Sequence, residues 1–365
     1  MAIPENDKCI VGLSNGFEKC ASFLKEAAVS KKQVVLRFHS DTDGICGALN
    51  IFRALKSVSS SSSNIASFQA PYAVYDQNDA LSEIGSLKNL QGAVFVLIDH
   101  AANSESTGAI SLLKSYGAKI VIIDHHPFSE KARGLSDVFI SPFLLDGCGS
   151  SYTAGLLCYE IAKLIDEKAT DGKLALYSLQ SDKSTFAEKS FYKEAAAIDY
   201  LAICNSEKLE FYEMALADAK LMDESFLESK RCISDAVRIA SKSKDTKLWG
   251  SFAIMTVRLE KALEGVKYPS KGLLLNELHG SEERKLKRAL VSIGTARGSI
   301  AFRANDSALQ KGFSANKLIQ ELKKEFPSDI IAGGGHDGAA SLRVSEDSMA
   351  LICEDAVRRI SELFV

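Results

Sequence analysis

A chain of 365 residues, 46% of them apolar, is long enough to bury two hydrophobic cores. Its formal net charge of −3 shows no basic excess, which excludes a protein that coats nucleic acid by charge alone and leaves phosphate contact to a local patch or to bound metal. Eight cysteines without a CxxC pair argue against a zinc site and against a disulfide framework, so reduced thiols in a cytoplasmic protein are expected.

The opening MAIPENDKCIVGLSNGF lacks the basic and apolar regions of a secretory signal. No stretch reaches bilayer-spanning length, so no membrane association is expected. From residue 34 onward short apolar runs alternate with helical patterns: Val34–His39, Val94–Asp99, Lys119–Asp124 and Val138–Ser141. This rhythm predicts an α/β fold with a parallel sheet covered on both faces. Three of the four runs end in His or Asp, and open sheets of this class bind ligands at the carboxyl ends of their strands. The five serines Ser59–Ser63 read as an exposed loop.

Residues 1–186 form the first predicted domain. Residues 187–246, free of Pro and Gly, predict a helical connector. In residues 247–365 strands at Ser251–Val257, Arg288–Ile293 and Gly298–Ala304 accompany helices at Ser314–Phe326 and Asp347–Phe364, which predicts a smaller α/β domain with a mixed sheet.

The strongest local pattern is His39-Ser40-Asp41-Thr42-Asp43-Gly44, at a strand-to-helix turn. Alternate residues of an extended segment point the same way, so His39, Asp41 and Asp43 can converge on one pocket, with Gly44 permitting a tight exit. The plainer reading is a polar turn with Asp43 as the helix N-cap. Asp99 ends VFVLID, and Asp124-His125-His126 ends KIVIID. Carboxylates gathered from three neighbouring strand ends repel one another unless cations neutralise them. Imidazole and carboxylate donors without thiolate suit Mn²⁺ or Mg²⁺. Two such ions sharing a carboxylate activate water and steady a phosphoryl oxygen, which points to phosphoester hydrolysis.

At these residues the chain resembles the DHH phosphoesterase superfamily, whose members include RecJ exonucleases, nanoRNases, phosphoadenosine-phosphate phosphatases, cyclic-dinucleotide phosphodiesterases and manganese-dependent pyrophosphatases. LALYSLQSDKSTF at 174–186 resembles the family's fourth motif. The resemblance implies that His39, Asp41 and Asp99 hold one metal and that Asp43, Asp99, His125 and Asp182 hold the other, with Asp99 as bridge. Lys183 departs from the small residue common at that place, which leaves Asp171 as the alternative to Asp182. The resemblance also sets His126 toward substrate and Asp124 behind the ligands. It assigns nothing to His100, which reads as structural.

Gly333-Gly334-Gly335-His336 resembles the glycine-rich signature of the domain that accompanies DHH domains in nucleases. Read from the residues, three glycines make either a loose turn or a backbone nest for a phosphate. Ser299-Ile300-Ala301-Phe302-Arg303 resembles the strand whose arginine clamps a substrate phosphate, with Arg297 as the alternative. The basic segment Arg284–Arg288, with Lys267 and Lys271 nearby, reads as a solvated helix face.

The combined resemblance implies a RecJ-like exonuclease of the smaller layout, requiring Mn²⁺ and acting on single-stranded DNA or RNA or on short oligonucleotides in a cleft between the domains. It implies replication or repair proteins as partners. NanoRNases and phosphoadenosine-phosphate phosphatases share the layout. A scaffold of the Cdc45 kind is the non-enzyme alternative, and the intact ligand set weighs against it.

Overall fold

The computed structural model describes residues 6–59, 64–72, 74–87, 90–205 and 208–363. The chain divides into two units, Met1–Leu227 and Glu228–Val365.

The first unit runs α1 (Lys8–Val29), β1 (Val34–His39), α2 (Thr42–Val58), β2 (Ile65–Ala70), α3 (Gln77–Ser86), β3 (Val94–Ile98), α4 (Thr107–Ser115), β4 (Lys119–Ile123), α5 (Glu130–Leu135), β5 (Val138–Ile140), α6 (Ala154–Asp166), α7 (Gly172–Ser181), α8 (Tyr192–Cys204) and α9 (Leu209–Ala217). Helix α10 (Ala219–Ala240) carries the boundary between the units. Five strands pair in parallel in the order β2-β1-β3-β4-β5. Alternate residues of each central strand serve opposite faces, as a two-residue period requires. Leu36, Phe38, Val96, Ile98, Val121 and Ile123 join the core beneath α1, α2 and α6. Val35, Phe95, Leu97, Ile120 and Ile122 join the core beneath α3 and α4.

The expected strands stand within a residue of their places, with Asp99 and Asp124 just past the ends of β3 and β4. Strand β2, which the sequence pattern does not reveal, is a half-buried edge strand whose Ser67 and Gln69 break up any apolar run. Of the serine run only Ser59 lies within the described residues. Helices α8 and α9, from the predicted connector, send Ile198, Leu201, Leu209 and Tyr212 into the first unit's core.

One expectation is corrected. Cys9, in the first turn of α1, and Cys148, in the loop before α6, form a disulfide across 139 residues with Cα atoms 6.0 Å apart. Sequence spacing cannot show such a pair, because packing of α1 against α6 brings its ends together.

The second unit runs β6 (Asp245–Trp249), β7 (Phe252–Arg258), α11 (Glu260–Leu263), α12 (Lys271–Leu286), β8 (Ala289–Ala296), β9 (Ser299–Ala304), α13 (Asp306–Gln310), α14 (Ala315–Glu325), β10 (Ile330–His336), β11 (Ala339–Val344) and α15 (Met349–Leu363). Its six strands form a mixed sheet in the order β10-β11-β9-β8-β7-β6, with β7 and β8 parallel. Helices α14 and α15 pack on one face, and α12 packs on the other over β8 and β9. The glycine run is therefore neither a turn nor a nest: Gly333–Gly335 lie inside edge strand β10, paired with β11.

Candidate metal centre

In the sheet of the first unit the chain leaves β1 to one side for β2 and to the other for β3. Loops diverge at such a switch point and leave a crevice beyond the strand ends. His39 ends β1, and Asp41 is the extended N-cap of α2, accepting from Gly44 N at 3.0 Å. Asp41, not Asp43, thus fills the capping role that the plainer reading gave to Asp43. A Cβ on Gly44 would stand 2.4 Å from the His39 carbonyl oxygen, so only glycine lets α2 start this close to β1.

Asp43 lies in the first turn of α2 and is fully buried. Its carboxylate accepts from Ala154 N at 2.9 Å, Gly155 N at 2.6 Å and Ser178 Oγ at 2.6 Å. The first two donors are the opening amides of α6, where a helix favours negative charge. Gly155 is required there, since a Cβ would fall 2.6 Å from Ser178 and 3.0 Å from Asp43 Oδ1.

Asp99 follows β3 with φ +54, a left-handed conformation uncommon for a residue with a side chain. Its carboxylate is 1% exposed, and Oδ1 receives no hydrogen bond. That oxygen lies 3.4 Å from both His125 Nε2 and His126 Nδ1, while Oδ2 lies 3.3 Å from His39 Nδ1. His39 Nδ1 is also 2.6 Å from Asp41 Oδ2. The His125 ring turns Nδ1 toward the Ser150 carbonyl at 2.8 Å. Nε2 is thereby aimed at Asp99, Asp43 at 3.5 Å and Asp182 at 3.2 Å. His126 Nδ1 sits 2.8 Å from Asp124 Oδ1, which also accepts from the His126 backbone at 3.0 Å, so Asp124 orients the ring.

Asp182 stands at the C-terminal end of α7, and Asp171 caps the opposite end. Asp171 instead binds Asn50 and lies 3.6 Å from Arg53. Asp182 is therefore the member of this pair that reaches the centre.

The charges betray crowding. Burial, then Asp99 and Asp182, push the Asp43 carboxyl well above its usual range. Burial pulls the other way on His39, His125 and His126, yet the carboxylates around them hold all three above the ordinary imidazole value, His126 at about 10. Burial also works against ionisation of Asp99, but His125, His126 and His39 hold it well below the usual range. The upward shifts run in the direction of unmet negative charge, which a bound cation would neutralise. Within the first unit, three groups bring ligand atoms within 4.8 Å of one another: His39, Asp41 and Asp99; Asp43, Asp99 and His125; and Asp99, Asp124 and His126. Asp99 is common to these three. A buried carboxylate oxygen without a hydrogen bond, set among imidazole and carboxylate donors, fits hard divalent cations.

Sequence reasoning missed several supports. Asp199 of α8 accepts from Thr42 N and lies 3.0 Å from Thr42 Oγ1, pinning the turn between Asp41 and Asp43. Arg37, hidden in an apolar strand, donates to His100 Nε2 at 3.1 Å, to buried Glu83 and to Asp79 at 2.6 Å. Tyr75 Oη donates to the other oxygen of Glu83 at 2.7 Å. His100 is thus tied into a buried network directly behind Asp99.

In the second unit, Arg303 donates to Asn276, to the Phe302 carbonyl at 2.7 Å and to the Gly272 carbonyl at 3.3 Å. All three acceptors are neutral. Arg297 is exposed at the turn between β8 and β9. The register sets His336 opposite Ala339 and Ala339 opposite Arg303, which places His336 and Arg303 in one row on one face. A Cβ at Gly333 or Gly335 would collide with β11, whereas one at Gly334 would meet nothing within 4 Å. Two of the three glycines are therefore demanded by strand packing. Arg284, Lys285 and Lys287 are exposed around the end of α12.

Residues 33–180 match the DHH family, N-terminal domain. The chain is 22% identical to an uncharacterized protein of Methanocaldococcus jannaschii, over 89% of this chain and 51% of that one, so it spans about half the length of that relative. Its fold is similar to the DHH domain of a member of the s1p family of ribosomal proteins, with TM-score 0.86, 21% identity and coverage of 97% and 92%. RecJ from Thermus thermophilus in complex with Mn²⁺ follows at TM-score 0.66 and 13% identity, covering 95% of this chain and 55% of that one. CDC45 from Entamoeba histolytica is similar at TM-score 0.53 and 11% identity, covering 95% and 99%. No described helix is long and apolar enough to cross a membrane.

Proposed function

Because residues 33–180 match the DHH family, N-terminal domain, we propose that the chain belongs to the DHH superfamily and is a two-metal phosphodiester hydrolase, a RecJ-like exonuclease acting on single-stranded DNA or RNA or on short oligonucleotides. The observation that carries the reading is the buried Asp99 carboxylate, whose Oδ1 has no hydrogen bond and which belongs to every cluster of ligand atoms drawn wholly from the first unit. His39 and Asp41 would hold one ion with Asp99, and Asp43, His125 and Asp182 the other. When bound, the ions supply an activated water and charge stabilisation at the phosphoryl oxygen.

The chain's own residues do the rest. Asp43 is fixed by two amides of α6, and His125 by the Ser150 carbonyl, so the donors need no rearrangement to receive cations. Partly exposed His126, oriented by Asp124, is the side chain proposed to meet the substrate phosphate. Mn²⁺ is the proposed ion, with Mg²⁺ able to substitute; a RecJ solved with each supports this. Arg303, Gly334 and His336 are proposed to hold the nucleotide.

Hydrolysis of end-labelled single-stranded RNA and DNA of several lengths, with Mn²⁺, tests the reading. Metal-dependent release of mononucleotides from one end is expected. Binding of the same strands without turnover would favour the scaffold role suggested by the likeness to CDC45.

A further inference from the structure

The second sheet has one face that α12 covers only in part. The apolar cluster under α12 takes Leu290 of β8 and Ala301 of β9 and goes no further toward β11 and β10. Three rows cross this face by register. The first runs His336, Ala339, Arg303; the second Gly334, Ser341, Ala301; the third Ala332, Arg343, Ser299. The middle row holds nothing larger than serine.

Both outer rows are cationic. Lys271, the first residue of α12, donates Nζ to Ser299 Oγ, so it stands over the third row beside Arg343. Arg303 reaches the same first turn of α12 through the Gly272 carbonyl. Among the described residues no carboxylate meets Lys271, Arg303 or Arg343. Lys271 and Arg303 are partly buried, where an uncompensated cation is costly and an anionic ligand removes the cost. Burial and the neighbouring Arg303 and Arg343 pull the Lys271 ammonium down, and burial draws Arg303 to about 10, as expected of cations awaiting an anion.

We infer that Lys271 and Arg343 form a second phosphate seat, four residues along the strands from the Arg303–His336 row, so that this face selects ligands with phosphates in both rows. Four strand residues span roughly 13 Å. A single phosphate fills one seat, whereas an oligonucleotide of a few residues spans both across the small-residue floor. The inference rests on the proposed function and adds a length preference to it.

The test uses the full chain in EDTA and follows fluorescence anisotropy of a labelled oligothymidylate pentamer. The competitors are thymidine monophosphate and a 5′-phosphorylated thymidylate trimer. The trimer should compete at least about tenfold better than the monophosphate. Lys271→Ala and Arg343→Ala should each weaken trimer binding by roughly ten- to a hundredfold, with little change for the monophosphate. Each should lower the salt slope by about 0.7, and Lys271→Arg should restore affinity. Equal affinity of the two competitors, an unchanged salt slope in both variants, or equal losses on both ligands would overturn the second seat. Arg343 is exposed, so its variant stays informative if Lys271→Ala fails to fold. Mn²⁺-dependent hydrolysis of bis(p-nitrophenyl) phosphate by the unaltered protein reads the metal centre separately. Hydrolysis without length-dependent binding sinks this inference alone, and binding without hydrolysis sinks the functional reading alone.

Discussion

Arg37 Nε donates a 3.1 Å hydrogen bond to His100 Nε2, and this contact anchors the backbone next to Asp99. Asp99 and Ala101, on either side of His100, both adopt positive φ, at +54 and +73. Neither has the freedom of glycine, so the conformation must be held by its contacts, among them the Asp99 N–H to the Ile123 carbonyl at 2.9 Å and the His100 ring to Arg37. We expect His100→Ala to weaken Mn²⁺ binding by roughly ten- to a hundredfold, as loss of a partner that orients a ligand does. Titration of the metal-free chain followed by electron paramagnetic resonance of free Mn²⁺ measures this. Unchanged affinity would show that Asp99 holds its place without His100.

The same network supports the fold. Glu83, 3% exposed, takes Arg37 on one oxygen and Tyr75 on the other. Glu83→Ala leaves the buried guanidinium with Asp79 as its remaining carboxylate, and breaking such a pair costs about 3–5 kcal/mol. Denaturant unfolding in EDTA should show that loss in the first unit; a change below about 1 kcal/mol would mean that Asp79 suffices.

Asp99 belongs to three clusters of ligand atoms, while Asp43 belongs to one. Asp99→Ala should therefore leave less metal bound after dialysis than Asp43→Ala, and both should abolish hydrolysis in a folded protein. Metal content by elemental analysis, beside circular dichroism, decides this. Full occupancy with near-normal turnover in either variant would contradict the two-metal scheme.

What the sequence reveals of this site is what lies at strand ends. Buried strands β1, β3 and β4 write themselves as apolar runs, so the polar residues after them stand out. The residues that hold the ligands in place do not. Asp43 meets Ala154, Gly155 and Ser178 across 111, 112 and 135 residues, and Thr42 meets Asp199 across 157. No local pattern marks such pairs. Arg37 looks like a lapse in an apolar run until α3 supplies Glu83. The glycine run misleads for a different reason: composition suggests a loop, yet close approach to β11 is what excludes side chains at 333 and 335.

Asp199 gives the metal-free protein a pH signature. Burial, and then the charge of Asp41, push its carboxyl up to about 7. A carboxyl raised on folding keeps its proton in the native state while the unfolded chain releases it. Its contribution to stability is thus complete below about pH 4 and is lost as pH rises toward 7. Asp199→Asn can still accept from Thr42 N and should flatten this part of the profile, gaining stability over the unaltered chain at pH 8 relative to pH 5. Melting temperatures of both proteins in EDTA across that range test it, and parallel profiles would refute it.

The remaining prediction separates chemistry from substrate holding. Arg303 spends its hydrogen bonds on neutral acceptors and keeps an uncompensated charge on the open face of the second sheet, in the row that also holds His336. No metal ligand proposed here lies in that unit. Arg303→Ala should forfeit a charge-assisted contact of about 1.5–3 kcal/mol, which is roughly a ten- to a hundredfold loss of kcat/KM on oligonucleotides. The loss on bis(p-nitrophenyl) phosphate, which offers no second phosphate, should be much smaller, and bound metal should not change. His336→Ala should weaken the same substrates in the same way. Equal losses on both substrates, or release of metal, would show that Arg303 and His336 support the catalytic unit rather than hold the nucleotide.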